Sequence, residues 1–146
     1  MLRLARERLS SFGVRLLLNQ GDARSLPYFA ARFDAVFMSF TLELFDSLDI
    51  DRVLSEVKRV LRPSGRLAVV CLAARAEPGP VTRGYVWLHR CFPRFVDCRP
   101  IDVLGHLETN GFHPSRVREM ALWQLPVMAV SATVSPVVES SSTRTE

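Results

Sequence analysis

The 146-residue chain lacks any apolar run able to span a bilayer. The longest, Leu67 to Ala74, falls far short of the roughly 20 residues that a membrane helix needs. The opening Met1-Leu2-Arg3-Leu4-Ala5-Arg6-Glu7-Arg8 alternates charged and apolar residues and has no signal-peptide core, so a cytoplasmic location is the expectation. Cysteine is scarce. Cys71, Cys91 and Cys98 form no Cys-x-x-Cys pair, which argues against a disulfide framework or a zinc site and leaves buried thiols as the simplest reading. Glycine is scarce too, and its seven copies are dispersed rather than gathered into a phosphate-binding loop. There is no Tyr-x-x-x-Lys pair, which disfavours a short-chain dehydrogenase, and no Ser-His-Asp or metal-ligand constellation. No dense basic block accompanies the net charge of +4, so a solvated basic surface is expected rather than a nucleic-acid interface.

What remains is an ordinary globular composition, 48% hydrophobic and 23% charged. Leu2 to Leu9 is predicted as an amphipathic helix stopped by Gly13, and Val14–Leu18 as a short strand. Phe33 to Phe40 is nearly continuous in apolar character, as in a parallel strand covered on both faces. Asp49 to Leu61 is the clearest helix. Ile50, Val53, Leu54, Val57, Val60 and Leu61 form its apolar stripe, and Pro63-Ser64-Gly65 ends it before a third strand at Arg66–Leu72. This helix-turn-strand repetition, counted twice, predicts an α/β fold with a mostly parallel sheet. A helix at Ile101–Asn110 and an antiparallel edge pair, Val117–Trp123 with Val127–Val134, complete a domain over 1–134. A disordered C-terminal tail is expected over 135–146.

Three segments carry a family resemblance. They are Gly21-Asp22-Ala23-Arg24-Ser25-Leu26-Pro27, Phe33-Asp34-Ala35-Val36, and Val53-Leu54-Ser55-Glu56-Val57-Lys58-Arg59-Val60-Leu61-Arg62-Pro63-Ser64-Gly65-Arg66-Leu67. In this order and spacing they resemble the class I S-adenosylmethionine-dependent methyltransferases, especially the branch of small-molecule and ubiquinone/menaquinone-biosynthesis enzymes. The resemblance implies a Rossmann-like fold, S-adenosylmethionine as cofactor and a small-molecule methyl acceptor. It implies that Asp22 accepts from the adenine amino group and that the Ala23 backbone N–H reaches a ring nitrogen. Ser39 and Phe40 would lie beside the methionine part, and Thr41 and Glu43 beside the substrate. On residue physics alone, Asp22 equally forms an Asx-turn, Phe40 equally belongs to the core, and Glu43 equally caps the next turn. Tyr85 and Trp87, with Phe92 and Phe95, either line a substrate pocket or pack a short helix onto the sheet. His89 is the candidate general base, because the unperturbed imidazole titrates near neutrality, and His106 and His113 are weaker ones.

Ser64 stands where the family carries a second glycine, and little effect is expected because Gly65 keeps the permissive position. A larger departure is the front of the fold. The family opens with a strand, a Gly-x-Gly-x-Gly loop, a helix and a second strand ending in an acidic ribose ligand, and no such loop is present here. The expectation is a partial methyltransferase fold whose first two strands are missing, inactive as an isolated chain, with an exposed sheet edge open to self-association. The alternative is a non-catalytic binding or scaffold protein that keeps only the back of the fold.

Overall fold

The computed structural model describes residues 2–72, 100–122 and 125–134. Helix α1 (Leu2–Arg8) leads into a 3-10 segment, Ser10–Arg15. Strand β1 (Phe33–Ser39) follows, then helix α2 (Ser47–Val60), strand β2 (Leu61–Leu72), helix α3 (Val103–Thr109), and the hairpin of β3 (Phe112–Leu122) and β4 (Leu125–Val134). The four strands lie in the order β1-β2-β4-β3. β1 runs parallel to β2, and β4 is antiparallel to both β2 and β3, so three of the four strands point one way. The expected edge hairpin is present. No helix among the described residues is long and apolar enough to cross a membrane.

The stripe read from sequence on α2 is the one that folds inward. Ile50, Val53, Leu54 and Val57 are buried against Leu67, Val69 and Cys71 of β2 and Val130 and Ala132 of β4, and Val60 is buried as well. Val103 and Leu107 of α3 and Phe112 of β3 close the same layer. Each such side chain contributes about 1.5–3 kcal/mol by leaving water. The layer covers one face of the sheet. On the other face the cross-strand rows Phe37–Ala68–Ser131–Arg116 and Ser39–Val70–Ala129–Arg118 remain partly or fully exposed.

Two expectations need correction. Val14–Leu18 is not a strand. Val14 and Arg15 finish the 3-10 segment, residues 16–20 form no ladder, and Leu17 is 84% exposed. A strand exists only where a neighbour takes its backbone groups, and among the described residues none lies beside this segment. In consequence one parallel crossover, β1-α2-β2, is seen rather than two. The second correction concerns Pro63-Ser64-Gly65, which lies within β2 rather than before it. β1 advances from Phe33 to Ala35 while β2 advances from Leu61 to Arg66, so the turn is bulged out of the ladder. Gly65 is required there, because a Cβ would meet Arg62 O and Leu61 Cδ2 at 2.9 Å. Ser64 is exposed, which is why a side chain is tolerated at that position.

The predicted aromatic segment with Tyr85, Trp87, His89, Phe92 and Phe95 lies outside the described residues. So do Cys91, Cys98 and the predicted tail, 135–146.

Candidate functional site

In an open α/β sheet, ligands collect at the carboxyl ends of the parallel strands. Here that edge is marked by Ser39 at the end of β1 and Leu72 at the end of β2. β1 stops because Phe40 takes a left-handed conformation, φ +48°, while its N–H still donates to Val70 O at 2.8 Å. A bulky residue with positive φ is strained, and such strain persists only where the surroundings fix it. The turn continues with Thr41, whose Oγ1 donates to Ser39 O at 3.0 Å, and then a 3-10 turn, Leu42–Leu44.

Glu43 lies in that turn and is 1% exposed. Its Oε1 accepts from the Leu72 backbone N–H at 3.0 Å, which ties the ends of β1 and β2 together. Its Oε2 has no hydrogen-bond partner among the described residues. Burial pushes the carboxyl above the usual range, against the opposing pull of its own backbone N–H and that of Leu72. Burial, with the nearby Glu43 charge, also pushes the Cys71 thiol up to about 12, so this cysteine is an inert core residue as expected.

Asp22 is held in a separate loop. Its Oδ1 accepts the Arg24 N–H at 2.9 Å, an Asx-turn, and Asp22 and Ser25 form an isolated bridge. The Arg24 guanidinium then grips both carboxylate oxygens, Nε on Oδ1 at 3.1 Å and Nη2 on Oδ2 at 2.9 Å, and holds the Asp22 carboxyl below its usual range. Arg24 Nη1 extends to Asp49 Oδ2 at 2.8 Å, in the first turn of α2. That turn follows directly from the carboxyl end of β1. Farther along α2, Glu56 Oε2 accepts the Leu26 N–H at 2.8 Å, and Arg59 donates to Tyr28 O at 2.7 Å and to Leu26 O at 3.0 Å. Arg59 first, then the Leu26 N–H, holds the Glu56 carboxyl down to about 2. The loop 22–28 is thus laid along α2, with Asp22 at the end nearest Asp49 in the helix's first turn. Ala23 is half-buried and packs against the core.

Ser39, Phe40, Thr41 and Glu43 thus stand at the carboxyl end of β1, and Asp22 and Ala23 stand in a loop tied to the first turn of α2, whereas Tyr85, Trp87 and His89 lie outside the described residues. His106 is drawn elsewhere. Its Nδ1 lies 3.1 Å from Asp51 Oδ1, which also accepts from Asn110 Nδ2 at 2.9 Å, so the cluster clasps α3 to α2. His113 is exposed on β3, opposite Thr133. Among the described residues, no group of three or more His, Cys, Asp or Glu side chains is placed to hold a metal ion. Sequence reasoning missed the clamping role of Arg24, Glu56 and Arg59. Glu56 and Arg59 read as solvent-facing helix residues, and only their i,i+3 spacing of opposite charge hinted at a pair.

Comparison with known proteins bears on the family and the fold. A family model described as a methyltransferase domain matches residues 1–65. A demethylmenaquinone methyltransferase of Lactobacillus johnsonii is 30% identical over 127 residues, covering 82% of this chain and 51% of that protein. A ubiquinone/menaquinone biosynthesis C-methyltransferase of Bordetella avium is 38% identical over 87 residues, covering 60% of this chain and 32% of that protein. The chain thus spans about half the length of the first of these relatives and about a third of the second. Among solved structures, a SAM-dependent methyltransferase from Aquifex aeolicus superposes with a TM-score of 0.62 over 92% of this chain and 63% of that one, at 21% identity.

Proposed function

The chain belongs to the class I S-adenosylmethionine-dependent methyltransferases, and from that premise we propose that it forms the adenine side and substrate wall of a site for methyl transfer to a small molecule. The observation that carries the proposal is the tie of the Asp22 loop to the first turn of α2 through Arg24 and Asp49, since α2 is the helix that follows the Phe40–Glu43 turn at the carboxyl end of β1. S-adenosylmethionine supplies a methyl group on a sulfonium centre, so the protein's task is chiefly proximity and orientation. Asp22 would accept from the adenine amino group, and the Ala23 N–H would donate to a ring nitrogen. Ser39 and Phe40 would border the methionine part. Thr41, Tyr85 and Trp87 would face the acceptor, with His89 taking a proton where the acceptor must lose one; Glu43, expected beside the substrate, is buried and would instead hold the strand ends behind that wall. The names of the relatives point to a quinone-type ring as acceptor.

The residues present fit an adenine group on one condition. A carboxylate offers about four acceptor positions. Arg24 makes four contacts to Asp22, through its backbone N–H, through Nε to each oxygen, and through Nη2. An adenine amino group must displace one of them. The same saturation favours a second reading, a non-catalytic binding protein in which the Asp22 loop is purely structural.

Titration of the 146-residue chain with S-adenosylmethionine, followed by ligand-observed NMR and calorimetry, separates the two. Without a glycine loop to bring backbone N–H groups against the ligand, the expectation is millimolar or weaker binding that adenosine competes away, with no methyl transfer. Micromolar affinity overturns this placement of the cofactor. Absence of adenosine-competed binding supports the binding-protein reading.

A further inference from the structure

The N–H and C=O of Leu72, at the end of β2, are both bonded, and neither bond comes from β1. In a parallel ladder, a residue that faces its neighbour donates its N–H to one residue there, and its C=O accepts from the residue two positions farther on. Phe40 follows this pattern with its first group. Ser39 is in register with Val70, and the Phe40 N–H donates to Val70 O at 2.8 Å. The Phe40 C=O would then accept from the Leu72 N–H, yet that N–H donates to Glu43 Oε1 at 3.0 Å. The next place is filled in a similar way. If β1 ran on, the N–H of Leu42 would reach Leu72 O, and the Ile101 N–H takes that oxygen instead at 3.1 Å.

This replacement goes with the backbone of Phe40. At φ +48° Phe40 has left the extended conformation that a ladder requires, and a bulky residue stays there only where its surroundings hold it. Leu72 is buried, so its N–H needs an acceptor. Two arrangements supply one. Either Phe40 is extended and its C=O accepts, or Phe40 is left-handed and the Glu43 carboxyl accepts in its place.

We propose that Glu43 is a positioning residue for the proposed methyl-transfer site: by standing in for the Phe40 C=O at the Leu72 N–H, its side chain keeps Phe40 left-handed and fixes where Phe40 and Thr41 stand at the carboxyl end of β1. Its bearing on ligand binding rests on the reading of Ser39, Phe40 and Thr41 as the border of cofactor and acceptor. Glu43 itself acts only through the Leu72 backbone. Without an acceptor at position 43, the Leu72 N–H draws the Phe40 C=O back into the ladder. β1 then gains one residue, and the turn with its buried Leu42 is displaced.

NMR on the isotope-labelled 146-residue chain reads this exchange directly. The carbon shifts of Phe40 and its HN–Hα coupling report the sign of φ. Coupling across the hydrogen bond shows which carbon bears the oxygen that Leu72 N–H meets. In the parent that carbon is the Glu43 carboxyl. Glu43→Gln offers an oxygen at the same reach and should leave Phe40 left-handed. Glu43→Leu, similar in size but without an acceptor, should give an extended Phe40 and a coupling from Leu72 to the Phe40 carbonyl, with the β3 and β4 amide shifts unchanged. Glu43→Asp, one methylene shorter, is a milder variant that should move Phe40 the same way. A left-handed Phe40 in Glu43→Leu or Glu43→Asp, or an extended one in Glu43→Gln, would overturn the proposal. These spectra need no ligand, so they stand apart from the reading of the site. Adenosine-competed binding of S-adenosylhomocysteine should be weaker in Glu43→Leu than in Glu43→Gln. Equal binding beside an extended Phe40 would keep the exchange and overturn the placement of Phe40 at the cofactor.

Discussion

The Oε1 atom of Glu43 lies 3.0 Å from the backbone nitrogen of Leu72 and accepts its hydrogen bond, while the other carboxyl oxygen, buried beside it, has no partner among the described residues. One strand end is thereby fastened to the next by a group that is costly to ionise where it sits. The folded-state pKa of Glu43 is raised above its ordinary 4.5. A group shifted in this direction contributes stability that is fully present below 4.5 and is lost as pH rises through the folded pKa. Urea unfolding as a function of pH should show that decline. Glu43→Gln keeps an oxygen for the Leu72 N–H and cannot ionise, so this part of the slope should disappear and the variant should match or exceed the parent at neutral pH. Glu43→Ala strands the buried N–H and should cost about 1–3 kcal/mol at every pH. A parent and Gln variant with the same pH slope would show that Glu43 is ionised in the folded chain at no cost.

Much of the fold was legible from spacing alone. The α2 stripe from Ile50 to Val60 and the β3–β4 pair follow from period and turn residues. Val14–Leu18 was misread because apolar character marks a segment as able to form a strand but not as having a neighbour to bond with. The candidate site residues were named only through resemblance. Nothing in the spacing of Asp22, Phe40 and Glu43 relates them to one another. The path of the Asp22 loop depends on Arg24, Glu56 and Arg59, which hold it against a helix more than 20 residues away in sequence. Charged residues on a helix surface look the same in sequence whether they face water or a neighbouring loop.

The bulged turn inside β2 gives a prediction of opposite outcomes at adjacent residues. A Cβ on Gly65 would lie 2.9 Å from the backbone oxygen of Arg62, an atom that cannot swing aside, and 2.9 Å from Leu61 Cδ2, which is itself buried. Overpacking of this kind typically costs about 1–3 kcal/mol, and Gly65→Ala should lower stability by that amount. Ser64 is exposed, and Ser64→Gly should change stability by no more than about 0.5 kcal/mol. Denaturant midpoints of the two variants check both statements. Equal effects would mean that the turn rearranges freely and that Gly65 is not the residue that shapes it.

The competition between Arg24 and adenine for one carboxylate yields the sharpest test of the site. Arg24 makes four contacts to Asp22 and one to Asp49, so it both fixes the loop and occupies the atoms that a ligand would need. Removing the guanidinium frees three of the contacts to Asp22 and leaves the Asx-turn made by the Arg24 backbone N–H. If Asp22 receives the adenine amino group, Arg24→Ala should tighten adenosine-competed binding or leave it unchanged, because the carboxylate no longer has to exchange partners. Asp22→Ala should weaken binding by roughly tenfold to a hundredfold, the equivalent of losing a hydrogen bond to a charged acceptor. Asn at position 22 should fall between the two, since it retains an acceptor oxygen without the charge. Ligand-observed NMR with S-adenosylhomocysteine, which lacks the reactive methyl, measures all three variants in the millimolar range. If Arg24→Ala and Asp22→Ala weaken binding to the same extent, the pair acts only by shaping the loop, and adenine does not bind to Asp22.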